Sequence, residues 1–182
     1  EDVTRRVALA GFTAVGVDML GAQGGTPPDE DRARALFAKI DAAAAVADLV
    51  ALVDWLRARP DANGRVGAIG FCWGGGMVNL LAVAAPSLDA GVAFYGLAPP
   101  AADVPRIRAT LLLHYAGNDP RINAGAPAYE AALAAAGVPY TAYVYEGAEH
   151  AFHNDTAGAR YNEDAAKLAW SRTITFLQAT LD

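Results

Sequence analysis

The segment that most constrains the fold of this chain is Gly-Phe-Cys-Trp-Gly-Gly-Gly at 70–76. The residues just before it are predicted to form a short buried strand, and the apolar residues just after it a buried helix. Gly70 and Gly74 flank Cys72 in the pattern of a nucleophile elbow, a strained turn in which side chains beside the nucleophile would not fit. The start of the following helix favours the thiolate form of Cys72, because unpaired N–H groups and the helix dipole stabilise negative charge. The same residues also fit an inert buried cysteine or a turn that binds phosphate, so the rest of the sequence must distinguish these possibilities from a nucleophile.

Short apolar runs alternate with helical patterns along the whole chain. Strands are predicted at 12–17, 65–69, 91–95, 110–115 and 140–146. Helices are predicted at 2–10, 32–40, 43–59, 77–85, 128–136 and 161–181. Because strands that alternate with helices pair in parallel and have both faces covered, we expect an α/β fold with a mostly parallel sheet and helices on both faces.

The length of the chain predicts one domain, because 182 residues can bury a sizeable core without dividing. The first predicted helix has neither a strand nor a starting methionine before it. We therefore expect a single α/β domain over 1–182 that lacks its first strands.

The net charge of −6 argues against nucleic acid or an anionic membrane surface as a partner. No apolar stretch is long enough to span a bilayer. The single cysteine excludes an internal disulfide and leaves the compartment open, with a cytoplasmic location as the expectation. Nothing in the sequence indicates the oligomeric state.

Three residues that can act together in catalysis follow three of the predicted strands. Cys72, Asp119 and His150 come in the chain order nucleophile, acid, histidine that is typical of α/β-hydrolases. Catalytic and ligand-binding residues of parallel sheets lie just past the carboxyl ends of the strands. We therefore expect these side chains to meet at that edge of the sheet. A weak nucleophile needs a base, and the base needs an acceptor that fixes its tautomer. Taken singly, Asp119 could be only a turn residue, and His153 competes with His150 as the base.

These motifs resemble those of the dienelactone hydrolase family, α/β-hydrolases with a Cys-Asp-His triad. The similarity runs from the first helix to the last and is carried by the elbow at 70–75, the acid turn at 117–119 and the histidine loop at 149–152. It implies a hydrolase of esters or lactones that needs no metal or other cofactor, with Cys72 as nucleophile, His150 as base and Asp119 as its orienting acid. It also implies that the backbone N–H of Trp73 forms half of the oxyanion hole.

The chain departs from the family pattern in two ways. The loop that supplies the second oxyanion donor, and the glutamate that faces the resting cysteine in well-known members, would lie upstream of Glu1. Ala22 and Asn154 stand where those members have two arginines that hold the substrate carboxylate. We therefore expect a small-molecule substrate other than dienelactone itself, with Arg121 or Arg160 available for another anion. Tyr95 and Phe152, which lie near the predicted site in the sequence pattern, are further candidate substrate contacts.

Two other functions remain open. A metal-dependent hydrolase could use His150, His153, Asp155 and His114, although no His-Glu-x-x-His helix is present. A chain of this fold without half of its oxyanion hole could instead bind a ligand or partner without turnover.

Overall fold

The computed structural model describes residues 1–182, which divide into two compact units, Glu1–Leu49 and Val50–Asp182. The first unit contains α1 (Asp2–Leu9), α2 (Glu30–Phe37) and the start of α3 (Ala42–Arg57), the helix in which the boundary falls. Whether 1–182 behaves as one domain stays a prediction.

A four-stranded sheet forms the centre of the second unit. Its strands are β1 (Gly67–Phe71), β2 (Ala90–Phe94), β3 (Thr110–Ala116) and β4 (Tyr140–Tyr145). They lie in the order β1-β2-β3-β4, and every neighbouring pair is parallel. The helices of this unit are α4 (Trp73–Ala84), α5 (Pro120–Asn123), α6 (Ala126–Ala136) and α7 (Glu163–Leu181). The predicted α/β class is therefore confirmed.

Helices cover both faces of this sheet, as the sequence predicts. On one face, a Cβ placed on Gly91 of β2 would lie 3.3 Å from Val78 of α4. On the other face, a Cβ placed on Gly67 of β1 would lie 2.9 Å from Leu181 and 3.3 Å from Leu177 of α7. Glycine in these strands thus allows a helix to pack directly on the sheet.

The prediction of a buried strand at 12–17 is wrong. These residues form neither helix nor strand, and Val15 and Val17 are each 48% exposed. A strand needs ladder hydrogen bonds to a neighbour, and no strand of the described chain pairs with this segment. An apolar alternating pattern alone therefore does not make a strand.

The helices begin and end near the predicted positions, and caps account for several of the ends. Asp29 accepts a hydrogen bond from the N–H of Arg32 and begins α2, while Asn162 does the same for Ala165 at the start of α7. The largest difference is α4, which begins at Trp73 rather than at the predicted residue 77. Its glycines have low helix propensity, but the elbow requires the helix to start directly after Cys72. None of the helices is long and apolar enough to cross a membrane.

A buried histidine lies between the sheet and α7. His114 of β3 is fully buried, and its Nε2 lies 3.1 Å from the Thr173 hydroxyl, which donates to the Ala169 carbonyl. Nε2 must therefore donate to that hydroxyl, so Nδ1 accepts from the hydroxyl of Tyr145 at 2.9 Å. Burial, reinforced by the charge of Arg172, lowers the pKa of His114 to about 3.

This low pKa predicts that the fold loses stability in mild acid. In the unfolded chain His114 has its ordinary pKa of 6.5 and binds a proton near that pH, whereas in the folded chain it does not bind one until about pH 3. The free energy of unfolding should therefore fall as the pH drops below that ordinary value, by about 2 kcal/mol between about pH 7 and pH 5. Urea denaturation of the wild type and of His114→Gln, which cannot titrate, measures the difference. An equal fall in both proteins would contradict the prediction.

Candidate active site

The nucleophile elbow forms as the sequence predicts. Cys72 lies between β1 and α4 with a left-handed φ of 54°, and its backbone N–H donates to the Phe94 carbonyl of β2 at 3.1 Å. Such a φ is uncommon for a residue with a side chain and is held here by the surrounding elements. The turn is tight, since a Cβ on Gly70 would lie 2.0 Å from the Gly74 carbonyl oxygen. The Cys72 side chain remains partly exposed.

A side chain is sterically excluded at some glycines of the elbow but not at all of those that the sequence predicts. A Cβ on Gly74 would meet nothing within 4 Å, so the expectation that a side chain would not fit there is wrong. The close approach falls one residue later, because a Cβ on Gly75 would lie 2.6 Å from the Phe94 carbonyl oxygen. Gly96, in the turn after β2, makes the same contact from the other side, because a Cβ there would lie 2.3 Å from the Gly75 carbonyl carbon. The backbone of α4 thus packs directly against the turn that follows β2.

Asp119 lies in the turn after β3 and is nearly fully buried. Its Oδ1 accepts the N–H of Ile122 at 3.3 Å and so caps the short helix α5. Its Oδ2 lies 2.5 Å from Nδ1 of His150. One carboxylate oxygen therefore serves the turn and the other bonds the histidine, so the turn role does not exclude the proposed role in a triad.

His150 lies in the loop after β4 and keeps 24% of its side chain exposed. Because its Nδ1 is bonded to Asp119, Nε2 is the ring nitrogen that can exchange a proton with substrate or nucleophile. This is the orientation that a general base in a triad requires.

Hydrogen bonds join the acid turn to the histidine loop. Asn118 donates from its side chain to the Gly147 carbonyl at 3.3 Å and to Oε1 of Glu149 at 3.1 Å, and from its backbone to the Ala148 carbonyl at 2.9 Å. A Cβ on Gly117 would lie 2.9 Å from the Tyr145 carbonyl oxygen, so the two segments touch through their backbones. The sequence marks Asn118 only as part of the acid turn, because its partners lie about thirty residues away.

The thiol and the imidazole approach the same side chain but are not bonded to each other. The Tyr95 ring lies 4.9 Å from the His150 ring, and Cys72 is close enough to act electrostatically on the Tyr95 hydroxyl. No hydrogen bond links Cys72 to His150 in this structure. Burial raises the pKa of the Cys72 thiol, and the positive charges of Arg160 and Arg121 oppose the rise without cancelling it. Burial thus opposes the thiolate form that the start of α4 favours, and it outweighs the two positive charges.

Two of the predicted substrate contacts lie behind the site rather than on its surface. Tyr95 and Phe152 are 1% and 0% exposed, and their rings pack 5.4 Å apart, so neither offers surface to a substrate in this structure. Arg121 and Arg160 are exposed, and both charges act on the Cys72 thiol. Binding of substrate by Arg121 therefore stays a prediction.

The side chains predicted as ligands for a metal-dependent hydrolase do not come together at one site. His150 pairs with Asp119, His153 packs 5.1 Å from the Phe71 ring, and His114 bonds to the hydroxyls of Thr173 and Tyr145. The structure contains no group of three or more His, Cys, Asp or Glu side chains that could hold a metal ion.

Comparison with known proteins finds similar sequences over most of the chain. A sequence model of the dienelactone hydrolase family matches residues 1–181. The carboxymethylenebutenolidase of Pseudomonas putida is 33% identical over 176 residues, which cover 92% of this chain and 74% of that protein. A protein of Saccharolobus solfataricus, provisionally named a carboxymethylenebutenolidase, is 40% identical over 115 residues. That match covers 63% of this chain and 44% of the relative, less than half of its length.

Solved structures give the same result. A Klebsiella pneumoniae protein, provisionally named a dienelactone hydrolase, superimposes with a TM-score of 0.84 at 29% identity. The match covers 97% of this chain and 79% of that chain.

Proposed function

The chain belongs to the dienelactone hydrolase family, and we propose that it hydrolyses a carboxylic ester or lactone by nucleophilic catalysis. In this proposal Cys72 is the nucleophile, His150 the general base and Asp119 the residue that orients the base. The relatives named carboxymethylenebutenolidase support a small-molecule lactone or ester as the class of substrate.

The first half of the proposed reaction acylates the enzyme. Nε2 of His150 takes the thiol proton as the Cys72 sulfur attacks the carbonyl carbon, and the backbone N–H of Trp73 donates to the oxyanion that forms. When this intermediate collapses, the bond from carbonyl carbon to ester oxygen breaks. The leaving oxygen takes the proton from His150, and the acyl group remains on sulfur as a thioester.

The second half releases the acid. His150 removes a proton from a water molecule, whose oxygen attacks the thioester carbonyl carbon. The bond from carbon to sulfur then breaks, the sulfur regains a proton through His150, and the acid is released. No step in this sequence requires a cofactor.

The observation that carries the proposal is the bond of 2.5 Å between His150 and Asp119 beside the strained Cys72 turn. It orients the imidazole with Nε2 open for proton transfer, which a merely structural histidine does not need. Burial raises the pKa of the Cys72 thiol and so favours its neutral form. Proton transfer to His150 is therefore part of the proposed attack, rather than a step completed beforehand.

The positive charges near the thiol suggest where a negative group of the substrate binds. Arg121 and Arg160 are exposed, and their charges reach Cys72. We propose that Arg121 attracts a negative group of the substrate, since guanidinium binds carboxylates well.

Trapping the acyl-enzyme tests the proposed function. We expect 4-nitrophenyl acetate to give a burst of 4-nitrophenol followed by steady turnover. Mass spectrometry of the quenched protein should find one acetyl group on the peptide that contains Cys72. Protein alkylated beforehand with iodoacetamide is the matched control, because the chain has a single cysteine, and it should show neither burst nor turnover.

Two results would contradict the hydrolase proposal. One is turnover by the alkylated protein at the rate of the untreated protein. The other is the absence of both acetyl transfer and turnover above the buffer background, which would favour a domain that binds without catalysis.

A further inference from the structure

Tyr95 has a backbone conformation that is unusual for a tyrosine. It follows β2 directly, has a left-handed φ of 38°, and is 1% exposed. Its N–H donates to the His114 carbonyl of β3 at 2.7 Å, so the conformation is held by the sheet. Side-chain residues at positive φ persist where the surrounding structure requires them, often at functional sites.

Packing explains why the chain turns here. Successive side chains of a strand point to opposite faces, so Tyr95 would ordinarily face away from Phe94. The backbone of α4 occupies that side, because Gly75 and Gly96 approach closer than any side chain allows. The left-handed turn instead brings the Tyr95 ring within 6.0 Å of the Phe94 ring and 6.5 Å of the Phe71 ring, at the end of the sheet.

In this position Tyr95 touches the histidine loop at more than one point. Its ring lies 4.9 Å from the His150 imidazole and 5.4 Å from the Phe152 ring. Burial raises the pKa of its hydroxyl, and the nearby backbone N–H of His153 opposes that rise. Besides its bond to Asp119, the imidazole of His150 is thus packed against an aromatic ring that is itself held in place.

We propose that Tyr95 is a positioning residue, whose ring packs against His150 and against Phe152 of the same loop. Asp119 fixes the imidazole through one nitrogen, and Tyr95 fixes the plane of the ring, so that Nε2 is held for proton exchange with Cys72. This inference rests on the proposed function, since it assigns Tyr95 a role that acts only through His150.

Alkylation of Cys72 tests the role without any substrate. Iodoacetamide reacts with the thiolate, so its rate constant at neutral pH reports how well His150 takes the thiol proton. We expect Tyr95→Leu to lower this rate constant about tenfold, and Tyr95→Phe, which keeps the ring, to lower it no more than about threefold. Tyr129→Phe is the matched control, because Tyr129 is also a buried tyrosine whose hydroxyl is hydrogen-bonded, to Asn79. It should react at the wild-type rate.

A double variant shows whether Tyr95 acts through His150. We expect Tyr95→Leu to have no further effect in a His150→Ala background, since the group that it positions is then absent. Equal losses in both backgrounds, or a wild-type rate for Tyr95→Leu, would overturn the inference. If Tyr95→Leu does not fold, as judged by circular dichroism, the same comparison is made with Tyr95→Met, which also lacks the ring but has a flexible side chain that adapts to the space. A wild-type rate for that variant would overturn the inference.

These outcomes can be distinguished from failure of the proposed function. Hydrolysis that does not depend on Cys72 would contradict the hydrolase alone and leave the alkylation result standing. A His150→Ala variant that is alkylated as fast as the wild type would contradict the base assigned to His150, and with it the role of Tyr95.

Discussion

Cys72→Ala is expected to lower kcat for 4-nitrophenyl acetate by at least about 10³-fold, with little change in the free energy of unfolding. The substitution removes the only cysteine of the chain and the atom that would form the thioester. Alanine fits the site sterically, and it keeps a Cβ at the left-handed φ of 54° that the wild type already adopts. The comparison of initial rates, with unfolding measured by urea denaturation, separates catalysis from stability.

A second substitution, His150→Ala, tests whether Cys72 and His150 act together. Substitutions of residues that act together in a triad do not have additive effects. The double variant with Cys72→Ala and His150→Ala should therefore be about as slow as the slower single variant. A Cys72→Ala protein that keeps more than about a tenth of the wild-type kcat would contradict the nucleophile assignment. Losses that multiply in the double variant would contradict the pairing of thiol and imidazole.

Gly70→Ala is expected to destabilise the protein by more than about 3 kcal/mol. The added Cβ would lie 2.0 Å from the carbonyl oxygen and 2.3 Å from the carbonyl carbon of Gly74, and 2.8 Å from the backbone nitrogen of Gly75. All three are backbone atoms at the start of α4, so no side chain can rotate to make room. Urea denaturation followed by circular dichroism measures the loss, and expression without folded protein would be its extreme form.

Gly74→Ala is the matched control for this prediction. It lies in the same elbow and in the first turn of α4, but its added Cβ meets nothing within 4 Å. Alanine is the better helix former by about 1 kcal/mol, so the free energy of unfolding should stay the same or rise slightly. Equal destabilisation by both substitutions would contradict the structural explanation of the elbow.

Much of the fold follows from local chemistry that can be read in the sequence. The caps Asp29 and Asn162 and the closing Gly137 mark helix ends because their side chains or their left-handed backbone satisfy local hydrogen bonds. The segment at 12–17 shows the limit of such reasoning. Its pattern is that of a strand, but pairing depends on a neighbour that local sequence does not specify.

The candidate triad was predictable for a related reason. Parallel strands carry their following loops to the same edge, so three residues placed after three strands are expected to converge. The structure brings Asp119 and His150 into contact and places Cys72 in the predicted elbow. The bonds from Asn118 to the histidine loop were not predictable, because a polar residue in a turn has many equivalent partners.

By itself the sequence determined the four strands of the sheet and the longer helices, the strained turn at Cys72 and the strand ends after which the acid and the histidine lie. These depend on residue type and spacing, which act within a few residues along the chain. Only the tertiary structure decided that Gly75 rather than Gly74 meets the next strand, that burial raises the pKa of the Cys72 thiol, and that Tyr95 turns its buried ring toward His150. Those outcomes depend on how closely separate elements approach and how much water they exclude, and both are properties of the packed molecule.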